Sequence, residues 1–398
     1  MMKSEYVSRD MLEESYLKLF SPFRVIQFVL GSCRVDVKHR FVTSPTKGQK
    51  IYTIFYLLSV LSLHLFFYFN YLVRLYPYPI AYYVNLIAIF FYYGTFACNI
   101  IHVRFINNDM NVKFYLRMQD IDRKLKIEKI KVINDFIFKA NLITFMVVLF
   151  FLCLIFGTVI AGDSRLFVYF VGPLLAELTS TIECLFGANL LIYFYLRLSY
   201  INAIMVNYIK GTTDINIEKV RNKSIPTMKV LRYLASKTHD FQYSDVDVYL
   251  KNILEELLNF QYLYRFQFFL FCFKFVVSSL MSFEYGLQGL QKNFIHWFEF
   301  LLLPTLTVIY VIIVIVVCIR LEAFFKQIKR TKYLCIKVLS RVHRGPLRRK
   351  AIKMLKMIKE KPPQLSVYGM WKMETSTMIS MINLVTTLMV TLLQFTVL

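Results

Sequence analysis

The sequence predicts an all-α membrane protein with seven transmembrane helices, its N-terminus inside, its C-terminus outside and long helical extensions in the cytosol. Three observations predict this fold: an apolar composition, seven long apolar runs and an uneven distribution of basic residues. Hydrophobic residues make up 57% of the 398 residues and charged residues only 18%. A soluble domain is about 45–50% apolar and about 25% charged, and a single soluble core stops growing at about 250–300 residues. The apolar excess therefore indicates a protein that lies in a bilayer.

Seven runs are long and apolar enough to span a membrane, which takes roughly 20 residues of α-helix. They cover residues 51–73, 80–103, 140–161, 166–196, 266–286, 297–319 and 375–398. The fourth run is long, and it reads as one tilted or extended helix because residues 174–195 offer only Gly187 as a turn former.

The basic residues lie almost entirely in alternate connections. Lys and Arg number nine in residues 1–50, nine in 104–139, ten in 197–265 and sixteen in 320–372, while the other three connections hold one each, Arg74, Arg165 and Lys292. Cytosolic loops carry the excess of Lys and Arg in membrane proteins, so the four rich segments are predicted to be cytosolic. The net charge of +23 is then a property of the inner membrane surface and not a sign of nucleic-acid binding.

These spans and loops define the predicted organisation. It comprises a cytosolic N-terminal segment (1–50), transmembrane helices 1–4 (51–196) with a cytosolic connection (104–139), a cytosolic helical segment (197–265), helices 5–6 (266–319), a basic cytosolic helical segment (320–372) and helix 7 (373–398). Leu347, Ala351, Leu355 and Ile358 follow helical spacing between basic residues. That pattern fits an amphipathic helix on the inner leaflet or an intracellular helical domain where subunits meet.

No pattern in the chain points to an enzyme. The seven cysteines form no CxxC pair or Cys/His cluster, and the six histidines lack ligand spacing, so we expect no metal site and no cofactor. A nucleophile–base set, a phosphate-binding loop and a pair of catalytic carboxylates are also missing from the sequence.

The last span carries a polar stripe. Ser376, Ser380, Asn383, Thr387, Thr391 and Gln394 follow steps of three and four residues, which at about 100° per residue confines them to an arc of about 80°. An uncharged stripe of this length fits a face that lines water. The alternative is a polar seam between helices of one subunit, since such side chains join membrane helices.

The end of this span resembles the signature of the insect gustatory receptor family, TYhhhhhQF, where h is hydrophobic. Thr387, the five hydrophobic or small positions before Gln394, and Gln394-Phe395 match its spacing, while Leu388 stands where the family has Tyr. Upstream, residues 368–371 (YGMW) resemble the aromatic-Gly-x-aromatic stretch before the family's last helix, and residues 20–31 loosely resemble its opening segment.

The resemblance implies a tastant-gated, non-selective cation channel in the plasma membrane. Such receptors are tetramers around a pore lined by the seventh helix, so the expected partners are a small-molecule tastant (a sugar or bitter compound), permeant cations, membrane lipids and further copies of the chain or other receptor subunits. The pore and gate would use Asn383, Thr387, Thr391, Gln394 and Phe395. An odorant-type receptor subunit that needs a partner subunit is the alternative, followed by a secondary transporter.

Ionisable groups inside spans are costly and usually functional. Counting from the outer helix ends places Glu177 and Lys274 at similar depth near the middle of the membrane, with Glu183 deeper. The two groups could form an ion pair, or one of them could contribute to a ligand pocket. The candidates for an outward-facing ligand pocket are Tyr82, Tyr83, Asn85, Tyr169, Glu177, Glu284, Trp297 and Thr305.

Overall fold

The computed structural model describes residues 11–125, 130–162, 166–211, 245–292 and 297–397, the last range apart from residues 361, 363, 370 and 374. In this part of the chain the fold is almost entirely helical. Its elements are α1 (Glu14–Val29), β1 (Asp36–Lys38), β2 (Phe41–Thr43), α2 (Lys47–Leu75), α3 (Pro79–Phe105), α4 (Asn108–Leu125), α5 (Ile130–Gly162), α6 (Leu166–Gly211), α7 (Val246–Lys292), α8 (Trp297–Arg341), α9 (Pro346–Glu360), β3 (Ser366–Val367), β4 (Trp371–Lys372) and α10 (Thr375–Val397).

Within the described residues, six helices are long and apolar enough to cross a membrane, namely α2, α3, α5, α6, α7 and α8. The structure therefore agrees with the predicted all-α membrane protein. α10 has 23 residues, with a shorter apolar stretch at Ile379–Gln394. Only three residues separate α2 from α3 and α5 from α6, and four separate α7 from α8. We call the helix ends at these connections the short-loop end of the bundle and the opposite ends the long-loop end.

The helix α6 forms the centre of the bundle. In its apolar window 89% of the residues are buried, against 11% in α5, because α6 packs against α2, α5, α7 and α8. A helix that is apolar all round belongs in such an interior position. Glycine permits the closest approaches: a Cβ at Gly172 would lie 2.8 Å from Cβ of Leu63 on α2, and one at Gly187 would lie 2.7 Å from the Tyr264 ring on α7.

The helices α6, α7 and α8 continue well past the predicted spans. They have 46, 47 and 45 residues, so each is about 70 Å long at about 1.5 Å per residue. Their long-loop ends pack with α1, α4 and α9 into a helical domain. The domain core includes Leu250, Ile253 and Leu257 of α7.

The amphipathic helix α9 buries its apolar face within the protein. Leu347, Ala351, Met354 and Ile358 are buried, and the helix packs on α8 and α7. Of the two predicted positions for this segment, the packing favours the helical domain over the inner leaflet.

Two short antiparallel hairpins that were not predicted from the sequence complete the fold of the described ranges. The hairpin β3–β4 pairs Val367 with Trp371 directly before α10. Tyr368 and Gly369 at its tip have φ angles of 51° and 72°, a conformation that glycine adopts freely. The amide side chain of Gln261 on α7 donates a hydrogen bond to the Ser366 carbonyl at 3.0 Å. The hairpin thus fixes the start of α10 against α7.

Candidate functional site

A polar cluster lies among the spanning helices, where Glu177 of α6 meets α7 and α8. The Lys274 ammonium lies 2.7 Å from one carboxylate oxygen of Glu177, and the Tyr310 hydroxyl donates a hydrogen bond to the other. Nζ of Lys274 also lies 5.4 Å from the ring centroid of Tyr92 on α3. The structure therefore brings together the two intramembrane charges that the sequence analysis placed at similar depth. Each is held by a partner on another helix, which a charge in an apolar surrounding requires.

A cavity of about 220 Å³ lies beside this cluster, between α5, α6 and α8. Glu177 and Tyr310 line it near one end, and Arg320 lines it near the other. Between them the wall is formed by aliphatic and Phe side chains, with the hydroxyls of Thr144 and Thr181. The Thr144 hydroxyl donates to the Ala140 carbonyl of its own helix. The cavity can therefore hold a largely apolar molecule.

The other predicted ligand-pocket residues with described side chains do not line this cavity. Tyr82 and Tyr83 lie at the start of α3 with ring centroids 5.5 Å apart, and Tyr83 is exposed. Glu284 accepts a hydrogen bond from Gln288 one turn along α7. Of the six candidates whose side chains the structure describes, Glu177 is the one that lines the cavity. Asn85 and Thr305 lie on α3 and α8, while the side chains of Tyr169 and Trp297 fall outside the described residues.

A second buried ion pair joins the N-terminal segment to the bundle. The Arg34 guanidinium lies 3.3 Å from Glu183 of α6 with both side chains buried, and the Gln27 amide of α1 donates to the other carboxylate oxygen at 2.7 Å. The Arg34 guanidinium also lies 4.0 Å from the Tyr264 ring centroid. The sequence predicts Glu183 as a deep charge but not its partners, since no local pattern links residues this far apart in the chain.

A third buried network lies in the helical domain. Arg197 of α6 makes two hydrogen bonds to the carboxylate of Asp122 of α4, at 2.8 and 2.7 Å. Tyr193 donates to the same carboxylate at 3.0 Å, and Asn134 of α5 accepts from Arg197 at 3.2 Å. Bidentate pairing of this kind adds geometric specificity, so the network fixes α4 and α5 relative to α6.

The polar stripe of α10 points away from the rest of the chain. Ser376, Ser380, Asn383, Thr387 and Gln394 are exposed and Thr391 is half-buried. The opposite face packs on the bundle through the buried Val385 and through Met381 and Met389. Thr391 and Ser380 donate to the carbonyls of their own helix, while the amides of Asn383 and Gln394 have no hydrogen-bond partner in the described part of the chain. The alternative of a polar seam within one subunit is therefore wrong for this stripe.

Among the described residues, no group of His, Cys, Asp and Glu side chains could hold a metal ion, and all seven cysteines are free thiols.

No protein-family model matches the chain, and no curated protein matches it in sequence.

Proposed function

We propose that this chain is a ligand-gated, non-selective cation channel of the insect gustatory receptor type. It would act in the plasma membrane as a homotetramer, alone or with other receptor subunits, with a small tastant opening a pore lined by α10. The proposal rests on the motif Thr387…Gln394-Phe395 and on the face of α10 that this motif occupies.

The direction of the polar stripe is the observation that carries the proposal. In a single chain the stripe would face lipid, where the unpartnered amides of Asn383 and Gln394 are unfavourable. Copies of α10 arranged around an axis would turn the stripe toward water and leave the apolar face on each chain's own bundle. No acidic residue lies on this face, so selectivity would be for cations broadly, through hydroxyl and amide dipoles.

The proposed topology counts α10 as a seventh span. Its 23 residues give about 34 Å, enough to cross a hydrocarbon core of about 30 Å. The Lys and Arg content of the long connections then places the long-loop end in the cytosol. Under this topology the helical domain is cytosolic, and Gln394 and Phe395 lie near the outer end of the pore.

Ligand control requires a molecule that binds the open state more tightly than the closed one. The two ends of α10 are tied differently: its start is fixed to α7 by the β3–β4 hairpin, while its polar outer end is exposed. A ligand that shifts α7 or α8 would therefore move the outer ends of the four α10 helices apart.

The direct test combines current recording with cysteine accessibility. Cells that express this chain alone are exposed to a panel of sugars and bitter compounds, and whole-cell current and intracellular Ca²⁺ are recorded. Single cysteines at Thr387, Thr391 and Gln394 are then treated with a water-soluble thiol reagent. We expect the reagent to change the ligand-evoked current at these three positions.

Matched controls lie on the same helix. Cysteines at Leu388 and Leu392 face the chain's own bundle side, so we expect no change of current there. Equal modification all round the helix would reject α10 as the pore lining. Ligand responses that need a second, co-expressed subunit would favour the odorant-type alternative, and substrate uptake without single-channel openings would favour a transporter.

A further inference from the structure

The cavity between α5, α6 and α8 is long and narrow. Its wall runs from Ile309 to Arg320 on α8 and from Leu174 to Leu185 on α6, which is about 16 Å along each helix at about 1.5 Å per residue. A volume of about 220 Å³ along this length is room enough for one alkyl chain. The length matches an extended chain of about a dozen carbon atoms, at about 1.5 Å per C–C bond shortened by the zigzag.

The exposed part of the cavity wall lies on α5 and α8. Three residues of its wall are also exposed on the outside of the bundle, Ile143 (64%), Val147 (47%) and Ile312 (39%). They belong to the apolar windows of helices that span the membrane, so the opening faces the hydrocarbon core. A molecule dissolved in the bilayer can enter there without crossing water.

The two ends of the cavity differ in charge. At one end the Glu177 carboxylate already forms an ion pair with Lys274 and accepts a hydrogen bond from Tyr310. Its charge is therefore balanced without a ligand. At the other end Arg320 donates to Oδ1 of Asn189 on α6 and has no carboxylate partner among the described residues. A positive charge without a counter-ion next to an apolar cavity favours an anion.

A second atom at this end also lacks an acceptor. The Asn189 side chain is buried, and its amide nitrogen Nδ2 has no hydrogen-bond partner in the described part of the chain. Because Oδ1 accepts from Arg320, the amide is oriented with its two N–H donors left over. Asn189 is not among the residues that line the cavity, so its contact with Arg320 holds the guanidinium at this end and leaves Arg320 as the donor that faces the cavity.

We propose that this cavity binds a free fatty acid of about twelve carbons, with its carboxylate on Arg320 and its chain running toward Tyr310. The ligand enters from the bilayer, where a fatty acid already lies with its chain along the membrane normal. A neutral amphiphile would leave the Arg320 charge unpaired, and an anion at the opposite end would face Glu177. The site depends on the membrane fold alone, so it stands whether or not the chain conducts ions.

The test compares an acid and an alcohol of equal length. The full chain in lipid nanodiscs is photolabelled with diazirine derivatives of dodecanoic acid and dodecanol, and unlabelled compounds compete for the label. We expect label on peptides of α5, α6 and α8. We also expect the acid to compete about tenfold better than the alcohol, as a hydrogen bond to a charged group predicts.

Two variants separate the charge from the cavity. Arg320→Met removes the cation, so the acid-to-alcohol ratio should fall to about one, whereas Lys326→Met, an exposed position of the same helix, should leave the ratio unchanged. Val316→Phe adds volume to the wall and should weaken both probes alike. The ratio is measured within one variant, so a loss of folded protein does not change it.

Three outcomes would overturn the proposal. The first is equal competition by acid and alcohol in the unmodified chain, and the second is label confined to peptides outside α5, α6 and α8. The third is a co-purified phospholipid that dodecanoic acid does not displace, which would identify a membrane lipid as the occupant.

Discussion

Nζ of Lys274 on α7 lies 2.7 Å from Oε1 of Glu177 on α6, within the apolar lengths of both helices. Lys274 is almost fully buried and Glu177 mostly so, and each is the partner that neutralises the other. In such a surrounding a pair of charges is tolerable, while a single remaining charge is strongly unfavourable. The variants of this pair should therefore depend on one another.

Removing Lys274 alone should destabilise the protein. Lys274→Met leaves the Glu177 carboxylate without its counter-ion, and we expect a loss of about 3–5 kcal/mol in the free energy of unfolding together with lower surface expression. Glu177→Gln combined with Lys274→Met should restore part of the loss. Lys251→Met, which removes an exposed cation of the same helix, is the control. A double variant as poor as the sum of the two single variants would contradict the coupling.

The Arg197–Asp122 network gives a matched pair of substitutions on α4. Asp122→Asn removes the charge that the buried Arg197 faces, so unfolding in detergent should be easier by about 3–5 kcal/mol. Asp120→Asn removes an exposed carboxylate that pairs with Lys124, and we expect a change below about 1 kcal/mol. Thermal unfolding of both purified variants measures the difference; similar melting temperatures would mean that Arg197 finds another partner.

The outer end of α10 should control conduction. Gln394→Leu replaces an exposed polar group of the stripe by hydrocarbon, so we expect a smaller single-channel conductance or a channel that stays closed. Phe395→Ala should raise the ligand-independent current, because four aromatic rings would no longer close the pore. The Phe395 side chain falls outside the described residues, so this second expectation comes from the sequence motif. Wild-type currents in both variants would place the constriction elsewhere.

The proposed orientation can be measured on intact cells. A C-terminal epitope tag should bind antibody without permeabilisation, since seven spans and a cytosolic N-terminus place it outside. The sequon Asn222-Lys223-Ser224, which lies outside the described residues, should carry no glycan because its segment is predicted to be cytosolic. Staining of the tag only after permeabilisation would reverse the topology.

The turn before α10 offers a test of backbone conformation. Gly369 has a φ of 72°, and a Cβ added there would meet open space, so Gly369→Ala should be unfavourable by about 1 kcal/mol through backbone strain alone. Gly286→Ala on α7 also meets open space but lies in a helix, where alanine is the better residue by about 0.5–1 kcal/mol. The two variants should shift the melting temperature in opposite directions.

The membrane-spanning part of the fold could be predicted because its signals are local. Apolar length identified six of the long helices, and helical spacing identified the buried face that includes Leu347, Ala351 and Ile358. Lys274 and Glu177 could be matched by counting depth, since charges inside spans are few. Their partner Tyr310 could not, because tyrosine is common in this chain and carries no charge to single it out.

The helical domain was harder to predict because its contacts are distant in sequence. Asp122 and Arg197 are 75 residues apart, and Gln27 and Glu183 are 156 apart. Both pairs depend on how helices pack, which periodicity does not specify. The cavity between α5, α6 and α8 could not be predicted either, since most of its wall residues are the same aliphatic types that face lipid elsewhere.

The packing of α1 and the residues after it against α5 and α6 has a consequence for biosynthesis. The Asn141 amide of α5 donates to the Leu19 carbonyl, and Gln27 and Arg34 contact Glu183 of α6. On the ribosome, the segment that holds Leu19, Gln27 and Arg34 emerges before its partners on α5 and α6 have been synthesised. Apolar residues of this segment such as Leu19 and Phe23 are fully buried in the folded protein. Until α5 and α6 are made, these residues stay in contact with solvent or chaperones. Completion of α6 is then the earliest step at which the nascent chain can bury α1.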